Sequence, residues 1–219
     1  MIVDHEDRGA PDAPGRLSRR RVLLGSAAGF GALALAACSP AGMSVADAQR
    51  VYGPRPDERF PIPAVNVNKI DPKYYRRTVR YDSKEAVGTI IVDPRNHYVY
   101  RIEGDGYATR YGVSVGRAGF LWNGDAYIGR KAEWPIWTPP KEMIERQPEA
   151  AKYAGGMKPG LDNPLGARAL YLYQNGVYTL YTLYSTSVPE SIGKGVSSGC
   201  IGLITQDMLD LYDTTPVNT

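Results

Sequence analysis

The stretch Ala169-Leu170-Tyr171-Leu172-Tyr173, Gln174-Asn175-Gly176, Val177 to Leu183 constrains the fold of this 219-residue chain more than any other. Its apolar and aromatic residues alternate, and Asn-Gly supplies the positive φ that a tight hairpin turn needs. The stretch therefore predicts two antiparallel strands. Val87-Gly88-Thr89-Ile90-Ile91-Val92, the turn Asp93-Pro94-Arg95-Asn96 and His97-Tyr98-Val99-Tyr100-Arg101-Ile102 predict a second hairpin, and Gly104-Asp105-Gly106 leads into a further strand over Tyr107–Val115. With 24 Gly, 17 Pro and 16 Tyr, the composition suits short strands joined by turns rather than long helices. Two segments read as helical, Pro140–Tyr153 and Thr205–Tyr212. The second has Thr205 as N-cap and Met208, Leu209 and Tyr212 along one face. The expected architecture is mainly β, a sandwich or barrel-like domain with a few short helices.

The ends of the chain read differently. Ser18-Arg19-Arg20-Arg21-Val22-Leu23-Leu24 opens an apolar run that Gly25, Gly29 and Gly31 interrupt before Ala37. Such a run is shorter than the roughly 20 residues a spanning helix needs. An Arg pair before a weakly apolar stretch resembles a twin-arginine export signal. Residues 1–37 are therefore expected to be an export signal. Leu35-Ala36-Ala37-Cys38 resembles a lipobox, which makes Cys38 the expected lipidation site and the periplasm the expected compartment. Residues 38–80 are rich in Pro, small and charged residues without a periodic apolar pattern, and read as a tether. Residues 81–219, where the strand signals lie, are the expected folded domain.

Charge and cysteine count narrow the chemistry. The 26 Lys and Arg against 23 Asp and Glu leave a net charge of +3, too little for a protein that coats nucleic acid. Two Cys and two His could build a structural zinc site only if all four converged, and no metal is expected. Cys200 stands in Ser197-Ser198-Gly199-Cys200-Ile201, after Gly193-Lys194-Gly195. Small residues there let a substrate approach the thiol, and backbone N–H groups at Gly199 and Cys200 could cradle an oxyanion. A buried, inert cysteine is the competing reading.

Five ordered stretches then carry a resemblance: Val113–Gly119, Trp134–Pro140, Asp162–Leu172, Ser191-Ile192-Gly193 and Ser197–Ile201. Together they resemble the YkuD-type L,D-transpeptidase family of bacterial cell-wall enzymes. The resemblance implies a mostly β domain and a cysteine acyl transfer without a cofactor. A thiolate attacks the carbonyl joining diaminopimelate to D-Ala in a peptidoglycan stem peptide. An amine of a second stem, or of an outer-membrane lipoprotein, then takes the acyl group. It implies Cys200 as nucleophile, with Gly199, Ser198 and Ser197 beside the oxyanion and substrate, and a carbapenem as inhibitor. It implies no nucleic-acid partner, and membrane attachment only through a lipid at Cys38.

Departures from that family accompany the match. The family has His followed by Gly upstream of the Cys, where this chain reads Thr182-Leu183-Tyr184-Ser185-Thr186, so Tyr184 stands at the His position. Gly202 stands where the family has Arg after Cys-Ile, and the expected catalytic domain, residues 81–219, stops at Thr219, about where the family's closing strand is expected to begin. Tyr184, with an ordinary pKa near 10, is a poor base at neutral pH. His97 is a turn residue rather than a substitute base. Two functional expectations follow: an acyltransferase slowed by the missing His, or a catalytically impaired relative that binds peptidoglycan; a degenerate or truncated copy is a third. Trp134 and Trp137 line a stem-peptide groove or form a core corner. Arg168 makes a structural ion pair or meets a diaminopimelate carboxylate, and Tyr171, Tyr173, Tyr178 and Tyr181 form a packed sheet face.

Overall fold

The structure, a computed structural model, describes residues 43–116, 124–197 and 200–219. The expected export signal and Cys38 lie outside the described residues, as do Ser198 and Gly199. In chain order the elements are α1 (Val45–Val51), β1 (Arg77–Arg80), β2 (Ile90–Asp93), β3 (Tyr98–Gly104), β4 (Tyr107–Gly116), β5 (Tyr127–Glu133), α2 (Lys141–Arg146), β6 (Arg168–Gln174), β7 (Val177–Ser185), β8 (Gly195–Ser197), β9 (Ile201–Leu203) and α3 (Thr205–Thr214). The described strands form one curled sheet in the order β2-β3-β4-β9-β7-β6-β5, with β1 and β8 joining β4. This is the mainly β architecture with few short helices that the residue pattern called for.

Both expected hairpins form. β2 pairs antiparallel with β3, and β6 with β7. At the β6–β7 turn Asn175 and Gly176 both have positive φ, 49° and 78°, which the Asn-Gly pair tolerates where most residues would not. The expected helix over Pro140–Tyr153 is two pieces, α2 and a 3-10 segment over Pro148–Tyr153. Pro148 lacks an N–H and disfavours helical backbone in Gln147, so the helix ends there. Thr205 is the first helical residue of α3 rather than its N-cap; Ile204 takes the cap position and makes no capping side-chain hydrogen bond.

The main core lies between the inner sheet face and α3. Val99, Tyr111, Val113, Leu170, Leu183 and Leu203 meet Met208 and Leu211 there, all essentially without solvent contact. Alternation along β4 and β7 sends these residues inward, and α3 lays its apolar stripe across them. Burying each of these side chains contributes roughly 1.5–3 kcal/mol against leaving it exposed.

The expected tether is different. Its described part packs against the domain as a second layer: Ala48, Tyr52, Val67, Ile70 and Tyr75 are buried with Ile192 and Ile204. Residues 77–80 form β1 on the edge of β4. The prolines interrupt any periodic signal, because the segment is irregular chain pinned at intervals rather than a regular element. The strongest pin is a buried polar cluster. The Tyr52 hydroxyl donates to Asp207 Oδ2 at 3.1 Å and accepts from the Arg76 amide at 2.7 Å. The Arg76 guanidinium reaches Asp207 at 3.6 Å and pairs with Asp210, which also accepts from the Tyr111 hydroxyl at 2.7 Å.

Asp207 is fully buried, and loss of hydration outweighs the pull of Arg76 and Tyr52, so its carboxyl is pushed up to about 7. A carboxyl whose folded pKa exceeds its unfolded value loses stability as pH rises between the two. The Tm of the protein is therefore expected to fall through this group between about pH 4 and pH 7. Asp207→Asn should flatten that fall in thermal melts across the range; an unchanged slope would contradict the assignment.

Candidate active site

Cys200 is positioned by a parallel pairing that joins distant parts of the chain. β9 lies between β4 and β7, with Leu183 opposite Ile201, Tyr184 opposite Gly202 and Ser185 opposite Leu203. That register sets Cys200 beside Thr182 and sets Gly202 beside Tyr184. Antiparallel pairing extends both rows, with Tyr171 opposite Thr182 and Ala169 opposite Tyr184 on β6.

Strand β7 does not run straight past this point. Between the pairs Tyr173–Tyr178 and Tyr171–Thr182, residues 179–181 of β7 face Leu172 alone. Such a bulge bends a strand and re-aims its neighbours. The Thr179 hydroxyl staples it, donating to the Leu172 carbonyl at 2.8 Å and accepting from the Tyr181 amide at 3.3 Å. Leu180 at its crest has φ 69°, an uncommon conformation for a residue with a side chain, and stands 58% exposed. Its carbonyl accepts a hydrogen bond from the Cys200 sulfur at 3.7 Å.

The thiol sits at the foot of a cleft of about 790 Å³. One wall is the bulge with Tyr171 and Tyr178; the other is Trp137, Pro139, Pro140 and α2. Among the described residues Arg130, Lys141 and Arg146 line it against one acid, Glu142, which gives the cleft a positive bias. The Arg130 guanidinium lies 3.5 Å over the Tyr171 ring. Among the described residues no group of three or more His, Cys, Asp or Glu side chains is arranged to hold a metal ion.

The far wall is held by the Asp162–Arg168 stretch, whose role is thereby explained. The fully buried Asn163 side chain donates to the carbonyls of Pro135, Met157 and Lys158 at 3.0–3.2 Å, and its oxygen accepts from the Leu165 amide at 2.9 Å. Gly166, at φ 57°, lets the chain press on β7: a Cβ there would lie 2.5 Å from the Ser185 carbonyl. Arg168 makes the structural ion pair, 2.7 Å and 3.1 Å from the two Glu58 oxygens. Of the two tryptophans, Trp137 lines the cleft, whereas Trp134 is buried against Phe60 with its indole N–H donating to Glu58. Tyr171 and Tyr178 line the cleft and pack with Tyr173 as the expected sheet face, whereas Tyr181, past the bulge, lines the cleft and packs against the main core.

Electrostatics at the sulfur oppose ionisation. Burial pushes the Cys200 thiol up, and hydrogen bonds from the Thr182 amide and hydroxyl offset this in part. Burial, with the nearby Cys200 charge adding to it, pushes the Tyr184 phenol up to about 12. Tyr184 thus remains protonated at neutral pH and accepts no proton from the thiol. Its ring instead covers Gly202, where an added Cβ would lie 3.2 Å from the Tyr184 hydroxyl and 2.5 Å from Ser114 Oγ. His97, on the β2–β3 turn, is not among the residues lining the cleft. Ser197 closes β8, next to the undescribed Ser198 and Gly199. Thr182, Tyr178, Leu180 and Arg130 escaped the sequence reading as functional residues, because the bulge and the non-local β7–β9 pairing bring the first three to Cys200 and the β5–β6 pairing sets Arg130 opposite Tyr171.

Comparison with known proteins agrees with this arrangement. Residues 88–219, more than half the chain, match the family model of the YkuD L,D-transpeptidase catalytic domain. The chain belongs to that family. A Fuscovulum blasticum protein, named provisionally as an L,D-transpeptidase in the ATP synthase subunits region, is 37% identical over 92 residues, 42% of this chain and 44% of that protein. YqjB of Bacillus subtilis, also named provisionally as an L,D-transpeptidase, is 32% identical over 132 residues, 59% of this chain and 67% of that protein. Among solved structures, a Brucella melitensis protein described as a probable carnitine operon oxidoreductase is similar at 41% identity and a TM-score of 0.50, covering 70% of this chain and 96% of that one. The matched region spans less than half of the first curated relatives, 44% and 28% of their lengths.

Tyr184 and Gly202, the two departures from the family pattern, are thus one packing unit. Gly202→Arg, which installs the family residue, should cost roughly 1–3 kcal/mol by overpacking. Adding Tyr184→Ala should return part of that loss in a double-mutant cycle of thermal stability. Strictly additive losses would show that the two positions do not share this space.

Proposed function

We propose that this protein is an L,D-transpeptidase acting through Cys200 on peptidoglycan stem peptides. The observation that carries the reading is the placement of the only described thiol at the foot of a positively biased cleft between the β7 bulge and the Trp137–Pro140 wall. Stem peptides carry several carboxylates, which Arg130, Lys141 and Arg146 suit. The Cys200 sulfur attacks the carbonyl joining diaminopimelate to D-Ala, forming a thioester as the C–N bond breaks. The thiol proton ends on the departing D-Ala amine. An acceptor amine of a second stem, or of an outer-membrane lipoprotein, then forms the new amide and returns the proton to sulfur. Export through residues 1–37, lipidation at Cys38 and action in the periplasm complete the proposal.

The second reading, a peptidoglycan-binding relative without turnover, is favoured by one observation: Tyr184, at the position of the family His, is protonated at neutral pH. The two readings part on whether Cys200 forms an acyl adduct.

Intact mass after incubation of the folded full chain with a carbapenem should show one added drug, absent in Cys200→Ala. Because the thiol is pushed up by burial, the acylation rate should rise about tenfold per pH unit from pH 7 toward pH 8.5, tracking the thiolate fraction. No adduct on the folded protein would overturn the enzyme reading and leave the binding reading.

A further inference from the structure

The Cys200 sulfur has partners that the family pattern does not explain. Thr182 stands beside it in the β7–β9 register, fully buried, with its amide and hydroxyl in hydrogen-bonding reach of the sulfur. Behind Thr182, the Tyr178 hydroxyl lies 2.6 Å from Thr182 Oγ1. Tyr178 is itself fixed, packed edge-on against Tyr171 with ring centroids 5.5 Å apart, and Tyr171 is capped by Arg130.

We infer that Thr182, backed by Tyr178, is the positioning pair that orients the Cys200 sulfur and favours its thiolate. Tyr178 O–H donates to Thr182 Oγ1, which leaves the Thr182 O–H directed to donate to sulfur, alongside the Thr182 amide. Both donors favour the thiolate over the thiol, because a hydrogen bond to an ionised acceptor is stronger than one to a neutral acceptor. The Leu180 carbonyl has the opposite preference: it accepts from the protonated sulfur and offers nothing to the thiolate. The sulfur therefore has a thiol-favouring contact on the bulge side and thiolate-favouring contacts on the Thr182 side. This pair does not take the thiol proton. It performs the other part of the missing histidine's task, which is to stabilise and orient the charged sulfur. Tyr178 is protonated across the neutral range, since burial pushes its phenol up to about 12, so the donor chain is intact wherever the enzyme works.

The inference rests on Cys200 being the nucleophile, and its test does not depend on transpeptidation. The full-length chain is alkylated with iodoacetamide at a series of pH values, and modification is read at the Cys200 peptide by mass spectrometry. Thr182→Val should move the midpoint of the alkylation profile upward and slow alkylation at pH 7.5 about tenfold, the equivalent of one pKa unit. Thr182→Ser, which restores the hydroxyl, should return the profile to that of the parent. Tyr178→Phe, a milder change, should shift it in the same direction by less. Circular dichroism checks that each variant is folded, and Tyr178→Phe decides the matter if Thr182→Val is not. Profiles of Thr182→Val or Tyr178→Phe that superimpose on the parent would overturn the inference, as would a Thr182→Ser shift equal to that of Thr182→Val. Loss of carbapenem acylation with an intact alkylation shift would instead count against the transpeptidase reading alone.

Discussion

The parallel pairing of β7 with β9 is the constraint on which the site depends. Parallel strands need a long crossover, and here residues 186–200 supply it before β9 enters between β4 and β7. The pairing does three things at once. It completes the inner face through Leu183 and Leu203, places Cys200 against Thr182, and brings Tyr184 over Gly202. A slip of one residue would turn Cys200 to the opposite face, because side chains alternate along a strand. The buried leucines, which bear much of the core, therefore also fix the register that aims the thiol.

Around that row the structure trades acid–base chemistry for packing and hydrogen bonding. A histidine and an arginine at positions 184 and 202 would bring titratable charge to the sulfur. Tyr184 over Gly202 brings a neutral ring in a buried setting, and burial pushes the thiol up. What remains to favour the thiolate comes from Thr182, and the far wall of the cleft is held by Asn163 through four hydrogen bonds to backbone. The thiol and the cleft that the proposed acyl transfer needs thus occur together with a protonated Tyr184 at the position of the family His.

Much of this was legible in the chain and some was not, for identifiable reasons. The β6–β7 hairpin followed from Asn175-Gly176, since only a few residue pairs accept that backbone, and the β2–β3 hairpin and β4 followed from alternation. Cys200 stood out through its small neighbours, and Tyr184 through its departure from the family pattern. The packing of residues 43–76 was hidden, because its anchors Tyr52, Ile62, Val67 and Tyr75 are separated by prolines and turns and follow no period. The bulge at residues 179–181 was hidden too: its sign is the φ of Leu180 and the staple of Thr179, neither of which leaves a mark in composition. Arg168 and Trp134 turned out structural because of Glu58, a residue far away in sequence that nothing local connects to them.

Release of D-Ala from a disaccharide-tetrapeptide, measured for the full chain beside Cys200→Ala, tests the central claim most directly. The account predicts slow, Cys200-dependent release accompanied by cross-linked muropeptide dimers. Release no greater than that of Cys200→Ala, from folded protein at pH 8.5, would contradict it.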